Sequence, residues 1–179
     1  MERGTHKSLV TAGGVYTELY ETQFRMALDS DTVQARPAEP QETEQLVRIR
    51  RDAEQDALQF LPASYFDEKA ETVRDEIRSG DVFVIGGETD GADNVLGFIG
   101  LQDDCIAGFF IDRAFQSQGL GKRLLDFVKE RYDRLTLDVF AKNDGAVRFY
   151  TREGFAIRES ASDPATGELV YTMTWEKKA

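Results

Sequence analysis

Phe109-Phe110-Ile111-Asp112-Arg113-Ala114-Phe115-Gln116-Ser117-Gln118-Gly119-Leu120-Gly121-Lys122 joins an apolar run to a glycine-bearing loop, and an amphipathic stretch follows it. Cys105 to Ile111 is apolar at both parities, as is Val95 to Leu101, and Gln102-Asp103-Asp104 joins them as a tight hairpin. Runs of this kind predict central strands covered on both faces. Downstream, Leu120, Leu124, Leu125 and Val128 recur at helical spacing in a helix expected over 120–132. The unit is therefore strand, loop, helix. Glycines in such a loop free backbone N–H groups to face an anion, and the helix N-terminus adds about half a positive charge. The loop reads as a phosphate-binding turn; the alternative is a tight turn with two permissive residues. It is not a P-loop, because Gln116 and Arg123 stand where Gly and Ser or Thr are needed, nor a dinucleotide fingerprint, because Leu124 holds the third glycine position.

Working outward, Val33 to Arg36 predicts a short strand stopped by Pro37. Helices are expected over 41–53, with Leu46, Val47, Ile49 and Ala53 on one stripe, and over 67–79, with Phe66, Ala70, Val73 and Ile77 recurring before Gly80. Val82 to Ile85 follows as a strand, then a loop over 88–94. Beyond the central helix, Leu135, Leu137 and Val139 alternate with Thr136, Asp138 and Phe140 in a further strand. Asn143 caps a short helix over 144–153 that Gly154 ends, and 155–160 with 169–175 form a closing hairpin. This order predicts an α/β fold whose sheet starts antiparallel and holds a parallel pair around the central helix.

Composition bounds the chemistry. The 179 residues suit one domain plus a short extension, and 41% hydrophobic against 31% charged is a globular balance. A single Cys, Cys105, excludes an internal disulfide framework; with one His, His6, it leaves no structural zinc set and no histidine-dependent hydrolase triad. Thirty-three acidic residues against 22 basic give −11, which disfavours nucleic acid and anionic membranes and favours cationic partners such as amines. No run approaches the ~18 apolar residues of a membrane span and no signal h-region is evident, so a cytoplasmic protein is expected.

The segment 109–121 resembles the acetyl-CoA-binding segment of the GNAT superfamily of N-acetyltransferases, whose pattern is Arg/Gln-x-x-Gly-x-Gly/Ala. The run from Leu135 to Tyr150, continuing to Gly154-Phe155, resembles that family's second signature of strand, Asn, Ala, Phe-Tyr and Gly-Phe. The resemblance covers roughly residues 33–176. It implies a GNAT-type acyltransferase fold: a mixed, mostly antiparallel sheet with a splayed parallel pair and about four flanking helices. It implies acetyl-CoA as co-substrate, no metal, and direct transfer to a primary amine, whether a lysine side chain, a protein N-terminus or a small amine. By position, the backbone of Phe109, Phe110 and Ile111 would pair with the pantetheine arm and polarise the thioester carbonyl. The amides of Ser117, Gln118, Gly119, Leu120, Gly121 and Lys122 would hold the pyrophosphate, with Gln116 shaping the turn. Asn143 would hydrogen-bond the cofactor near its pantetheine end, and Tyr150 would be the general acid that reprotonates the CoA thiolate. The family usually has Pro where Arg113 stands, which implies a less rigid loop. A non-catalytic acyl-CoA-sensing module is the alternative, and a monomer and a homodimer both remain open.

The chemistry also follows from first principles. Acyl transfer to an amine needs a neutral amine, a polarised carbonyl and a proton for the leaving thiolate. A tyrosine hydroxyl stays protonated at neutral pH and suits the last task. Asp138, on the polar parity of its strand, and Asp103 and Asp104 at the hairpin are acids that could take the amine proton through water, or simply be solvated. Cys105 reads as a small core residue, since direct transfer needs no acyl-enzyme.

Residues 1–31 form an extension with its own character, ahead of a domain over 32–179. Val15, Tyr16, Leu19, Tyr20 and Phe24 share a helical stripe. Residues 2–24, with Gly4-Thr5-His6 and Tyr16-x-x-Leu19-Tyr20-x-x-Gln23-Phe24, resemble the C-terminal tail of the nucleotide-binding domain of exporter-type ABC transporters. Such a tail reads as a fusion relic, part of a longer exporter frame, or a helix docked on the domain or on a second copy.

Overall fold

The computed structural model describes residues 33–61, 70–89 and 92–178. The helix expected at 15–24, the exporter-like stretch and the first residues of the helix expected from 67 lie outside the described residues. Two compact units divide the chain; one holds residues 35–85 and 95–178, with the site, and the other contains, among the described residues, 33–34, 86–89 and 92–94.

The seven strands among the described residues are β1 (Gln34–Pro37), β2 (Asp81–Thr89), β3 (Ala92–Gln102), β4 (Cys105–Ile111), β5 (Arg134–Phe140), β6 (Ala156–Ser162) and β7 (Leu169–Glu176). They form one mixed sheet in the order β1-β2-β3-β4-β5-β7-β6. Pairing is antiparallel for β3 with β4, β5 with β7 and β6 with β7, and parallel for β4 with β5. Helices α1 (Thr43–Ala57), α2 (Ala70–Ser79), α3 (Leu120–Lys129) and α4 (Asp144–Arg152) flank it. No described helix is long and apolar enough to cross a membrane.

Leu46 and Ile49 of α1 pack on Val82, Val84, Val95 and Phe98, with Ile77 of α2 and Phe110 of β4 at the edge of that cluster. A short 3-10 turn over Pro40–Glu42 starts α1. Glu42 accepts from the Glu39 amide at 2.7 Å and from Arg36 through both oxygens, at 2.7 and 3.1 Å. Burial opposes its charge, but these donors more than offset that and hold its carboxyl below the usual carboxylate range.

Several boundaries move from expectation. Helix α1 runs to Ala57, and β2 and β3 extend to Thr89 and from Ala92, shortening the loop expected over 88–94. Helix α3 stops at Lys129, three residues early, because the chain turns and the Tyr132 hydroxyl donates to Asp81 at 3.0 Å. The expectation that β3 and β4 are both covered on two faces holds only for β3, where Val95 through Ile99 are buried. In β4, Gly108 to Ile111 are half-buried and Ala107 is exposed. The cause lies in the pairing. Gly100 opposes Gly108 but Leu101 opposes Ile106, so Ala107 is an extra residue, a β-bulge. On its other side β4 meets β5 at only Cys105↔Thr136 and Ile106↔Leu137. Past the bulge the two parallel strands splay.

Candidate active site

The splay leaves main-chain groups of β4 open. Asp112 N–H donates to Leu96 O at 2.8 Å. Antiparallel ladders alternate, so Phe110 and Phe98 form a hydrogen-bonded pair while Phe109 and Ile111 turn their N–H and C=O away from β3, toward the opening. The three residues named from the sequence thus divide. Phe109 and Ile111 present backbone to the opening, whereas Phe110 faces its ladder and puts its ring against Phe98, with the Arg50 guanidinium 5.7 Å from the ring centre.

The loop beyond β4 is built from its own side chains. Asp112 accepts from Ala114 N–H at 3.0 Å, Phe115 is buried as an anchor, and Gln116 Nε2 donates to Ile111 O at 3.1 Å. That last bond ties Gln116 back to the end of β4. Arg113, where a proline was the family habit, pairs with Asp56 of α1 at 3.0 Å. Ser117 and Gly119 take φ of 62° and 80°, the left-handed region, and residues 116–119 are exposed. A β-carbon at Gly119 would meet nothing within 4 Å. No side chain caps α3, and the first bond across its opening turn is Arg123 N–H to Gly119 O at 3.1 Å. The amides ahead of it therefore have no intrahelical partner. Leu120 itself is buried and anchors the turn. The Lys122 ammonium lies along the helix, 2.6 Å from Asp126 and 3.7 Å from Glu153, so its loop contribution is its amide.

Tyr150 sits on α4, only 8% exposed, with ring centres of Phe109, Phe149 and Phe155 at 6.3, 5.4 and 5.3 Å. Burial pushes its hydroxyl pKa well above the usual value, so it holds its proton. Among the described residues the Tyr150 hydroxyl has no hydrogen-bond partner. Phe109 also packs on Phe149, and a β-carbon at Gly121 would lie 3.5 Å from Phe149 and 3.7 Å from Ile111. Strand β4, the start of α3 and α4 thus pack together from Tyr150 to Gly121.

Asn143 caps α4, its Oδ1 accepting from Ala146 N–H at 3.2 Å. Its remaining hydrogen-bonding group is the Nδ2 amide. Cys105 is half-buried; burial raises its thiol pKa, a Thr136 hydrogen bond opposes that, and the charges of Asp138 and Asp104 add to the rise. Such a thiol is not an activated nucleophile. Asp104 pairs with Arg134 at 3.3 Å, while Asp138 is exposed and accepts from Thr172 Oγ1 at 2.6 Å. Sequence reasoning missed the Ala107 bulge, Thr172 and the edge-to-face Phe60–Phe140 pair at 5.6 Å. None of these leaves a local pattern.

A splayed parallel pair, an uncapped helix start and a buried tyrosine on the following helix fit the acetyltransferase (GNAT) domain, whose family model matches residues 49–177. The chain belongs to the GNAT family. It is an acyltransferase. It is 30% identical over 117 residues, 65% of this chain and 78% of the relative, to the peptidyl-lysine N-acetyltransferase YiaC of Escherichia coli strain K12. Among solved structures, apo YjaB from Escherichia coli superposes with a TM-score of 0.70 at 24% identity, covering 82% of this chain and 99% of that one. The PaiA N-acetyltransferase of Thermoplasma acidophilum, solved in complex with coenzyme A, superposes with a TM-score of 0.64 at 16% identity, over 81% of this chain and 99% of that one.

Proposed function

We propose that this GNAT domain transfers acetyl directly from acetyl-CoA to a primary amine, with a lysine side chain as the acceptor class. The reading is carried by the uncapped start of α3 next to the splayed strands. The amides of residues 117–122 would take the pyrophosphate, as helix N-termini do, with Gln116 holding the turn. The open groups of Phe109 and the N–H of Ile111 would take the pantetheine arm, and a Phe109 or Ile111 N–H would stabilise the thioester oxygen as charge develops on it. The Asn143 amide would donate nearby. Tyr150, whose raised pKa keeps its hydroxyl protonated at neutral pH, would pass its proton to the departing sulfur. The acceptor class rests on the relative named peptidyl-lysine N-acetyltransferase and on the net charge of −11, which attracts ammonium groups.

The catalytic domain is assigned to residues 32–179 in the cytoplasm, with 1–31 as an exporter-tail-like extension that the chemistry does not call on. The deciding experiment measures CoA thiol released from acetyl-CoA with lysine peptides, N-terminal peptides and polyamines. Acceptor-dependent release that falls about 100-fold in Tyr150→Phe supports the reading. Acetyl-CoA-induced thermal stabilisation without release from any acceptor would replace it with the binding-module alternative.

A further inference from the structure

We infer that Gly97, on β3, is a positioning residue for the cofactor: the space left by its missing side chain sets how closely the end of β4 seats against β3 and against the first turn of α3. The inference rests on the acetyl-transfer reading above and adds a residue outside the strand, loop and helices that the reading uses.

Glycine inside a strand weakens it, so its presence there needs a reason. Backbone freedom is not that reason. The positive-φ glycines among the described residues are Gly119, Gly154 and Gly167, and Gly97 is not one of them. The reason is space. A β-carbon on Gly97 would lie 2.4 Å from Ile111 Cδ1, 2.7 Å from the Phe110 carbonyl oxygen and 3.0 Å from Ile111 Cα. A side-chain tip can swing away from such a contact, but a carbonyl oxygen and a Cα move only with their strand. Gly100, on the same strand, gives the contrast: a β-carbon there would meet only Val82 Cγ2, at 3.8 Å. Between these two glycines, the crowding is at the one that faces the open end of β4.

What fills the space is the Ile111 side chain. Gly97 and Ile99 are two apart on β3 and share a face, and their partners on β4 are Ile111 and Phe109. On that face Phe109 meets Phe149 and Tyr150. From the other side Ile111 faces α3, since a β-carbon on Gly121 would lie 3.7 Å from Ile111 Cγ1. Ile111 is thus held between a glycine of β3 and a glycine in the first turn of α3. It joins the two parts that would take the two ends of acetyl-CoA, β4 for the pantetheine arm and the start of α3 for the pyrophosphate. The flanking bonds leave little slack: Asp112 N–H donates to Leu96 O at 2.8 Å, and Gln116 Nε2 donates to Ile111 O at 3.1 Å. A methyl group at position 97 therefore displaces Phe110 and Ile111 from β3 and carries the open Ile111 N–H out of line.

The test is Gly97→Ala in the full chain, with two ligands titrated in parallel. One is acetyl-CoA; the other is adenosine 3′,5′-bisphosphate, which brings phosphate to the turn but has no pantetheine arm. Acetyl-CoA affinity should fall about 10-fold, as for one misaligned hydrogen bond, while bisphosphate affinity changes less than about twofold. With a lysine peptide, kcat should fall about 100-fold, the effect of a displacement of about 1 Å at the reacting carbonyl. Gly80→Ala is the structural comparison. Its β-carbon would meet Leu101 O at 2.6 Å, at the opposite end of β3, so it should lower the melting temperature and leave both affinities at wild-type values. If Gly97→Ala does not fold, Ile111→Ala reads the same contact from the other partner: it keeps the amide, empties the slot, and should weaken acetyl-CoA several-fold while sparing the bisphosphate. Wild-type acetyl-CoA affinity and kcat in the folded variant, or equal weakening of both ligands, overturns the assignment. Failure of the acetyl-transfer reading shows differently: the wild-type chain itself then releases no thiol with any amine, and the inference falls with it.

Discussion

Helices α1 and α3 both begin beside the sheet, yet their first turns are finished in opposite ways. At α1, Arg36, Glu39 and Glu42 close on one another, so the turn supplies its own partners. At α3, Gly119 stands at the cap position with no side chain to offer, and the residues before it are exposed. A helix start costs stability when its amides go unpaired. Natural sequences cap them where nothing else will, as Asn143 does for α4. In the function proposed above, the uncapped start beside open strand edges is where the cofactor's anion sits, and the difference between α1 and α3 is that between a start that supplies its own partners and one that does not.

Giving α3 a cap of its own should break the contrast most sharply. Gly119→Asp puts a carboxylate over the same amides and repels a pyrophosphate, so acetyl-CoA affinity should fall about 100-fold, read by calorimetric titration. Unchanged affinity would move the pyrophosphate elsewhere. Opening α1 has the converse signature. Glu42→Gln should cost about 1–3 kcal/mol in chemical denaturation at neutral pH and leave acetyl-CoA affinity alone. Because the folded pKa of Glu42 is depressed, its contribution is complete above the ordinary carboxylate range and is lost as pH falls through the folded pKa. The gap between wild type and variant should therefore close in acid.

Two smaller effects sharpen the comparison. Asn143→Asp keeps the oxygen that caps α4 and removes the Nδ2 donor; stability should hold within about 0.5 kcal/mol, and a several-fold loss of acetyl-CoA affinity would mark the donor as a cofactor contact. Gly121→Ala lies inside α3, where a β-carbon would make ordinary van der Waals contact with Phe149. Helix propensity predicts a gain of about 0.5–1 kcal/mol by thermal melting, with binding preserved because the amide stays. A loss of binding there would mean the cofactor runs against the helix face as well as its tip.

Much of this was legible in advance. Strand β4 begins and ends where its apolar run does, and α4 starts at Asn143 as its capping side chain requires. The loop from Gln116 to Lys122, and Tyr150 on the helix after β5, were both placed by local pattern. The apolar stripe predicts α3 three residues too long because Tyr132 continues it, and only the bond of Tyr132 to Asp81, 51 residues away, shows why the chain turns there. The exposure of β4 departs from what its composition predicts for a related reason. Its composition matches that of β3, but a strand is covered only if a neighbour runs the length of it, and β5 leaves after two pairs.

The sequence by itself determined element types, the glycine turn and the tyrosine, because helical period, capping and positive φ act over a few residues. Only the tertiary structure decided which β4 groups stay open, on which face Asp138 stands, and that Thr172 comes to Asp138 from 34 positions away and Phe60 to Phe140 from 80. Those outcomes depend on a one-residue bulge and on strand register. A shift of one residue exchanges the two faces of a sheet, and no local propensity encodes it.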